Sequence, residues 1–161
     1  MISEEEFTKI YNQLAEKVLR LCLGYASGNI DLAKDWQQET FVKVWNNRKS
    51  FKADSSVNTW IYRIAVNVCL SDLRKASRKK SLVDNFQPES EEAPSDTADQ
   101  IKQLYGCIDK LNRQNKTLIL MELEEIPQAT IAETVGLKHG TVRTRLNRIR
   151  ASLLKCMTHG K

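Results

Sequence analysis

Glycine and proline are scarce, 6 and 3 in 161 residues. Turn chemistry is therefore thin, and alternating β-branched runs are missing, which excludes strand-and-turn architectures and predicts an all-helical protein. No apolar run is long enough for a membrane span and no secretory leader opens the sequence, so a cytoplasmic protein is expected. The four cysteines, Cys22, Cys69, Cys107 and Cys156, form no C-x-x-C pair, and neither His139 nor His159 stands at zinc-finger spacing from one. Buried reduced thiols without a metal are the expectation. No glycine-rich phosphate loop or nucleophile–base pair is present, so neither catalysis nor a cofactor is expected.

Charge of one sign is missing where it matters most. Residues 81–100 contain no Lys or Arg and 6 Asp or Glu. Residues 1–80 carry 14 cations against 9 acids, and residues 101–161 carry 11 against 5. Two basic blocks flank an acidic strip, an arrangement that suggests two surfaces for a polyanion. Pro88 and Pro94, with Ser and Glu around them, mark 81–100 as a flexible linker. With 41% hydrophobic residues, the blocks on either side are large enough for two small domains.

Helical periodicity fills both blocks. Residues 3–25 open with Ser3 and Glu6 at capping-box spacing and carry an apolar stripe from Phe7 to Tyr25. Residues 31–49 form a second helix with Asp31 as a plausible N-cap. Its apolar bulk is Leu32, Trp36, Phe41, Val44 and Trp45; Asp35, Gln38 and Glu39 lie on a polar side. A third helix follows Ser55 and Ser56. Val57, Ile61, Ile64 and Val68 make its apolar stripe, and Arg63, Asn67, Ser71 and Arg74 lie on another side. It runs out into Lys75, Arg78, Lys79 and Lys80. Those cations could hold phosphate or simply complement the helix dipole. Trp60 and Tyr62 could stack on bases, although Trp60 also borders the apolar stripe and could belong to the core.

The second block contains a helix pair over 101–122 and then a helix-turn-helix. Ala132, Gly136 and Val142 take the positions of close helix approach, left-handed turn and anchor of the second helix. Val142, Leu146, Ile149 and Leu153 form its buried stripe. Arg143, Thr144, Arg145, Asn147, Arg148 and Arg150 lie off it. That density of arginine, without acids nearby in sequence, points to DNA contact.

These segments resemble known motifs. The string DWQQETFVKVW at 35–45 resembles the sigma-factor pattern D-L-V-Q-E-x-F, with Trp36 for an aliphatic residue and Gln37 for Val. The string TWIYRIAVN at 59–67, with its basic tail, resembles the promoter-melting segment. The string TIAETVGLKHGTVRTRLNRIR at 130–150 resembles the −35-reading motif, with Thr130 for Glu and Lys138-His139 for Ser-Glu. Together they resemble bacterial sigma factors of the extracytoplasmic-function (ECF) class over about residues 5–155.

The resemblance implies a region 2-like domain at 1–80, a linker at 81–100 and a region 4-like helix-turn-helix domain at 101–161. Asp35, Gln38, Glu39 and Phe41 would then grip the β′ coiled coil of core RNA polymerase. Trp60, Tyr62, Arg63, Asn67, Arg74, Lys75 and Arg78 would melt and read the −10 element, with Asn67 bordering a pocket for a flipped base. Arg143, Thr144, Arg145, Asn147 and Arg148 would read the −35 element. The implied partners are core polymerase (β′ coiled coil and β flap), promoter DNA and an anti-sigma protein, often membrane-bound. The competing reading is a free-standing helix-turn-helix regulator whose N-terminal domain dimerises or senses a ligand.

Overall fold

The structure, a computed structural model, describes residues 1–80 and 96–159, without the side chains of residues 77–80 and 96. The described residues form seven α-helices and no strand. Helix α1 (Glu4–Tyr25) starts at the predicted capping box: Ser3 Oγ accepts from the Glu6 amide at 3.1 Å, and Glu6 Oε2 accepts from the Ser3 amide at 3.0 Å. Helix α2 (Ile30–Asn47) is capped by Asn29, whose Oδ1 accepts from the Leu32 amide at 3.2 Å. The expected cap, Asp31, sits in the first turn, where its charge suits the helix dipole. Helix α3 (Val57–Lys80) begins at Ser56, whose Oγ accepts from the Thr59 amide at 3.1 Å.

Helix α4 (Asp96–Asp109) starts inside the stretch read as linker, so residues 96–100 are helical. Asp99 places a negative charge near its start, which suits the helix dipole. The remainder of the expected linker, 81–95, lies outside the described residues. Helices α5 (Arg113–Leu123), α6 (Gln128–Val135) and α7 (His139–His159) complete the chain.

Helices α1 to α3 pack as one unit. Val18, Leu21, Cys22, Ala33, Val44, Ile61 and Cys69 are fully buried between them. The two departures from the motif pattern in α2 are both structural. Trp36 is buried and its indole donates to Asp72 Oδ2 on α3 at 2.8 Å. Gln37 donates to the Ala15 carbonyl of α1 at 2.6 Å. Helices α4 to α7 pack around Ile108, Leu118, Met121, Ile131, Val142 and Leu146.

The two units meet along a continuous seam. At Gly24 a Cβ would stand 2.4 Å from a Leu120 methyl, so glycine lets α1 lie directly on α5. Beside it the hydroxyls of Tyr25 and Thr117 share a buried hydrogen bond of 2.5 Å. Arg20 donates to Glu124 at 2.5 Å and Ser27 to Asp109 at 2.6 Å at the edges.

The cysteines depart from the expectation of four reduced thiols. Cys107 on α4 and Cys156 on α7 are joined in a disulfide, 49 residues apart in sequence. Helix packing brings them together, which spacing could not reveal. Cys22 and Cys69 stay free and buried, their sulfurs 3.7 Å apart between α1 and α3. In the chain-entropy picture a crosslink of this span stabilises by up to about 4 kcal/mol. Dithiothreitol should therefore lower the thermal midpoint of the helices α4 to α7, followed by circular dichroism. An unchanged melt, with all four thiols alkylated without prior reduction, would show the pair to be a dithiol.

Candidate nucleic-acid interface

The helix-turn-helix is built by a turn that only a few residues can make. Gly136 ends α6 with φ 74°, and the Leu137 amide donates back to the Ala132 carbonyl at 3.0 Å. The left-handed conformation is cheap for glycine and turns the chain sharply into α7. Val142, Leu146, Ile149 and Leu153 are 0–8% exposed and hold α7 onto α5 and α6. The rest of α7 is thereby turned outward. Arg143, Thr144, Asn147 and Arg148 are exposed, and Arg145 is half-buried.

The outward residues differ in what holds them. Arg143 and Arg148 have no hydrogen-bonded or ionic partner among the described residues. Arg145 donates to the Gln114 side-chain oxygen on α5, a neutral partner that leaves its charge intact. Thr144 donates to the Gly140 carbonyl at 3.0 Å, which leaves its methyl and lone pairs outward. Lys138, Thr144, Arg145 and Arg148 line a hollow of about 520 Å³ beside the start of α7. Arg150 differs from the reading of unpaired arginines. It is held by Glu122 of α5, 28 residues away in sequence and adjacent only after folding.

A second cationic face lies on α3. Arg63, Asn67, Arg74 and Lys75 are exposed; the side chain of Arg78 lies outside the described residues. In this conformation the face does not look wholly to solvent. Arg63 donates to the Thr134 carbonyl at 3.2 Å and to the Glu133 carbonyl, at the C-terminal end of α6. A cation there complements the helix dipole. Arg63, Asn67, Arg113 and Thr134 line a cleft of about 270 Å³ between α3 and the second unit. Tyr62 is buried, 2% exposed, and burial with the nearby Glu124 carboxylate pushes its phenol pKa up. Trp60 is half-buried against Phe51, ring centroids 4.9 Å apart. Asp72, the one acid among the tail cations, is taken up by Trp36.

A third surface is polar on one side and aromatic on the other. Asp35, Gln38 and Glu39 are exposed along α2, with Glu39 paired to Lys43 at 3.6 Å. Phe41 is buried, 5% exposed, stacked edge-on with Tyr11 at 4.8 Å. It lies at the bottom of a groove of about 550 Å³ between α1 and α2, beside Phe7, Tyr11, Gln38, Val42 and Trp45. Tyr11 and Val42 are 42% and 50% exposed there. No helix among the described residues is long and apolar enough to cross a membrane.

The family description Sigma-70 region 2 matches residues 10–79, and Sigma-70, region 4 matches residues 101–153. The chain is 28% identical to the RNA polymerase sigma factor YlaC of Bacillus subtilis, over 100% of this chain and 97% of that protein. It is 31% identical to the ECF RNA polymerase sigma-E factor of Haemophilus influenzae, over 91% of this chain and 85% of that one. Its fold matches a sigma factor RpoE of Bartonella quintana, solved in complex with the anti-sigma factor NepR. The TM-score is 0.74 at 21% identity, covering 98% of this chain and 99% of that one. With both matched regions in one all-helical chain, the protein belongs to the ECF RNA polymerase sigma factors, which direct transcription initiation and catalyse no reaction of their own.

Proposed function

We propose that residues 1–80 dock on core polymerase and read and melt the −10 element, that the unit from α4 onward reads the −35 element, and that the stretch between α3 and α4 joins them. The observation that supports this reading is a pair of helices, α3 and α7, each with a buried apolar stripe beneath an exposed cationic face. One such helix serves many DNA-binding proteins. Two on separate units suit a protein that gains specificity from joint engagement on a larger assembly.

The roles then divide by environment. Asp35, Gln38 and Glu39 meet the β′ coiled coil, with Phe41 as the buried support of that face. Arg63, Arg74, Lys75 and Arg78 hold the DNA backbone, and Asn67 borders the flipped base, with Trp60 and Tyr62 as the aromatics beside it. Arg143, Thr144, Arg145, Asn147 and Arg148 enter the −35 major groove, and the β flap receives the second unit. In the closed arrangement Arg63 is engaged with α6 and Tyr62 is buried, so binding to the −10 element requires the seam to open. An anti-sigma protein is the fitting keeper of the closed form, as the Bartonella quintana protein was captured with one. The site of action is the cytoplasm, where promoters and polymerase are.

Mixing the chain with purified core polymerase on genomic promoter fragments should give defined transcription starts. Operator binding by the free chain, without association with core, would instead support a free-standing regulator. Asn67→Ala should slow open-complex formation, read by permanganate reactivity, more than it weakens initial docking. Equal open-complex formation would remove Asn67 from the base pocket. Arg143→Ala should cost roughly 1–3 kcal/mol at one −35 base pair. An identical loss on scrambled −35 sequence would make Arg143 a phosphate contact only.

A further inference from the structure

The arginine that departs from the DNA-contact pattern is the informative one. Arg150 Nε donates to Glu122 Oε2 at 3.0 Å and its Nη2 to Glu122 Oε1, a bidentate clamp from α7 to the end of α5. The third guanidinium nitrogen, Nη1, donates to Asn147 Oδ1 at 2.7 Å. Glu122 is in turn steadied by Gln128 Nε2 at 3.4 Å from the first turn of α6. The Glu122 side chain is 22% exposed and that of Arg150 46%, so the clamp is partly shielded from solvent. Helices α5, α6 and α7 are thus linked, through Glu122 and Arg150, to one amide.

An asparagine side chain ordinarily offers a donor and an acceptor together, the pair that matches adenine N7 and N6. Here one of the two lone pairs of the amide oxygen is taken by a guanidinium that is itself fixed in place, and that positive charge fixes the amide's orientation more than it opposes a second donor at the oxygen. The Nδ2 donors have no partner among the described residues. We propose that Glu122 and Arg150 are positioning residues that lock the Asn147 amide with Nδ2 outward, so that it reads an acceptor edge, guanine N7/O6 or thymine O4, rather than adenine. The sense of the lock follows from charge. A guanidinium is a donor only, so it can face the amide oxygen of Asn147 but not its NH2. A flipped Asn147 would set its NH2 against Arg150, leaving donor against donor. Arg150 therefore acts on sequence preference through Asn147 without touching DNA.

This inference rests on the assignment of α7 to the −35 element. The test is transcription by reconstituted holoenzyme from a promoter library randomised over the −35 region, for the parent, Asn147→Ala, Arg150→Ala, Glu122→Gln and the double variant Asn147→Ala/Arg150→Ala. The parent should prefer G or T at one position, and Asn147→Ala should reduce that preference by about tenfold. Arg150→Ala and Glu122→Gln should shift the same position towards A, because the freed amide can turn. The double variant should match Asn147→Ala alone. Arg150→Lys, which cannot clamp Glu122 and hold Asn147 together, should behave as Arg150→Ala. The salt dependence of promoter binding should be the same for parent and Arg150→Ala; a slope smaller by about one would make Arg150 a phosphate contact and overturn the proposal. Preference lost in Asn147→Ala but intact in Arg150→Ala and Glu122→Gln overturns the lock alone. Preference intact in Asn147→Ala overturns the −35 assignment of that residue and the lock with it. Glu122→Gln keeps the side-chain volume, and circular dichroism of each variant separates unfolding from altered reading.

Discussion

Burial of one stripe on α7 sets the geometry of everything outward of it. Val142, Leu146, Ile149 and Leu153 lose nearly all contact with water, and each such side chain contributes about 1.5–3 kcal/mol. That term exceeds any single surface ion pair. It fixes the rotation of α7, and the rotation decides which arginines face outward and which face α5. Arg143 and Arg148 face outward without a partner among the described residues, Arg145 leans on a neutral glutamine, and Arg150 is drawn to Glu122. The same helix thus carries the buried stripe and the proposed reading face, divided by angle around its axis. Helix α3 repeats the division, with Ile61, Ala65, Val68 and Cys69 inward and Arg63, Asn67 and Arg74 outward.

Much of this was legible in the sequence because it is local. The capping box at Ser3, the Ser56 cap, the apolar stripes and the left-handed Gly136 all involve residues within a few positions of one another. Helical class followed from period and from scarce glycine and proline. What was not legible depends on helices meeting. Asn29 outcompeted Asp31 as the cap of α2, a shift of two positions that both residue types allow. Tyr62 reads as an available aromatic, yet it is buried, with Glu124 of the second unit nearby. The Arg150–Glu122 and Cys107–Cys156 pairs join residues 28 and 49 positions apart, and no local pattern encodes either. The motif departures Trp36 and Gln37 tie α2 to its neighbours, Trp36 to α3 and Gln37 to α1.

The seam between the units has a different character from the cores on either side. Its centre is small and close-fitting, Gly24 against Leu120 with the Tyr25–Thr117 bond beside it. Its edges are polar: Arg20 with Glu124, Ser27 with Asp109, Arg63 with two helix-end carbonyls. Half-exposed ion pairs of this kind contribute about 0–1 kcal/mol each, and neutral hydrogen bonds about 0.5–1.5 kcal/mol net. Each edge contact also has water as a ready replacement partner. The cost of parting the units therefore lies mainly in apolar contacts, at Gly24 and Leu120 and where α3 meets α6.

That distribution bears on how a single chain can be both closed and competent. The groups that close the seam from α3, Arg63 above all, are the same groups that carry its cationic face. On the proposed opening of the seam, the Arg63 guanidinium would exchange the carbonyls of Glu133 and Thr134 for a new acceptor, so one interaction would replace another. A phosphate is the stronger acceptor for a guanidinium than a helix-end carbonyl, because it carries a full charge and accepts two parallel bonds. The balance between the closed and the proposed DNA-engaged form would then be set less by Arg63 itself than by the apolar contacts of the seam, at Gly24 and Leu120 and between α3 and α6. A partner that contacts both units would have only to add to, or substitute for, those contacts to hold the protein in either state.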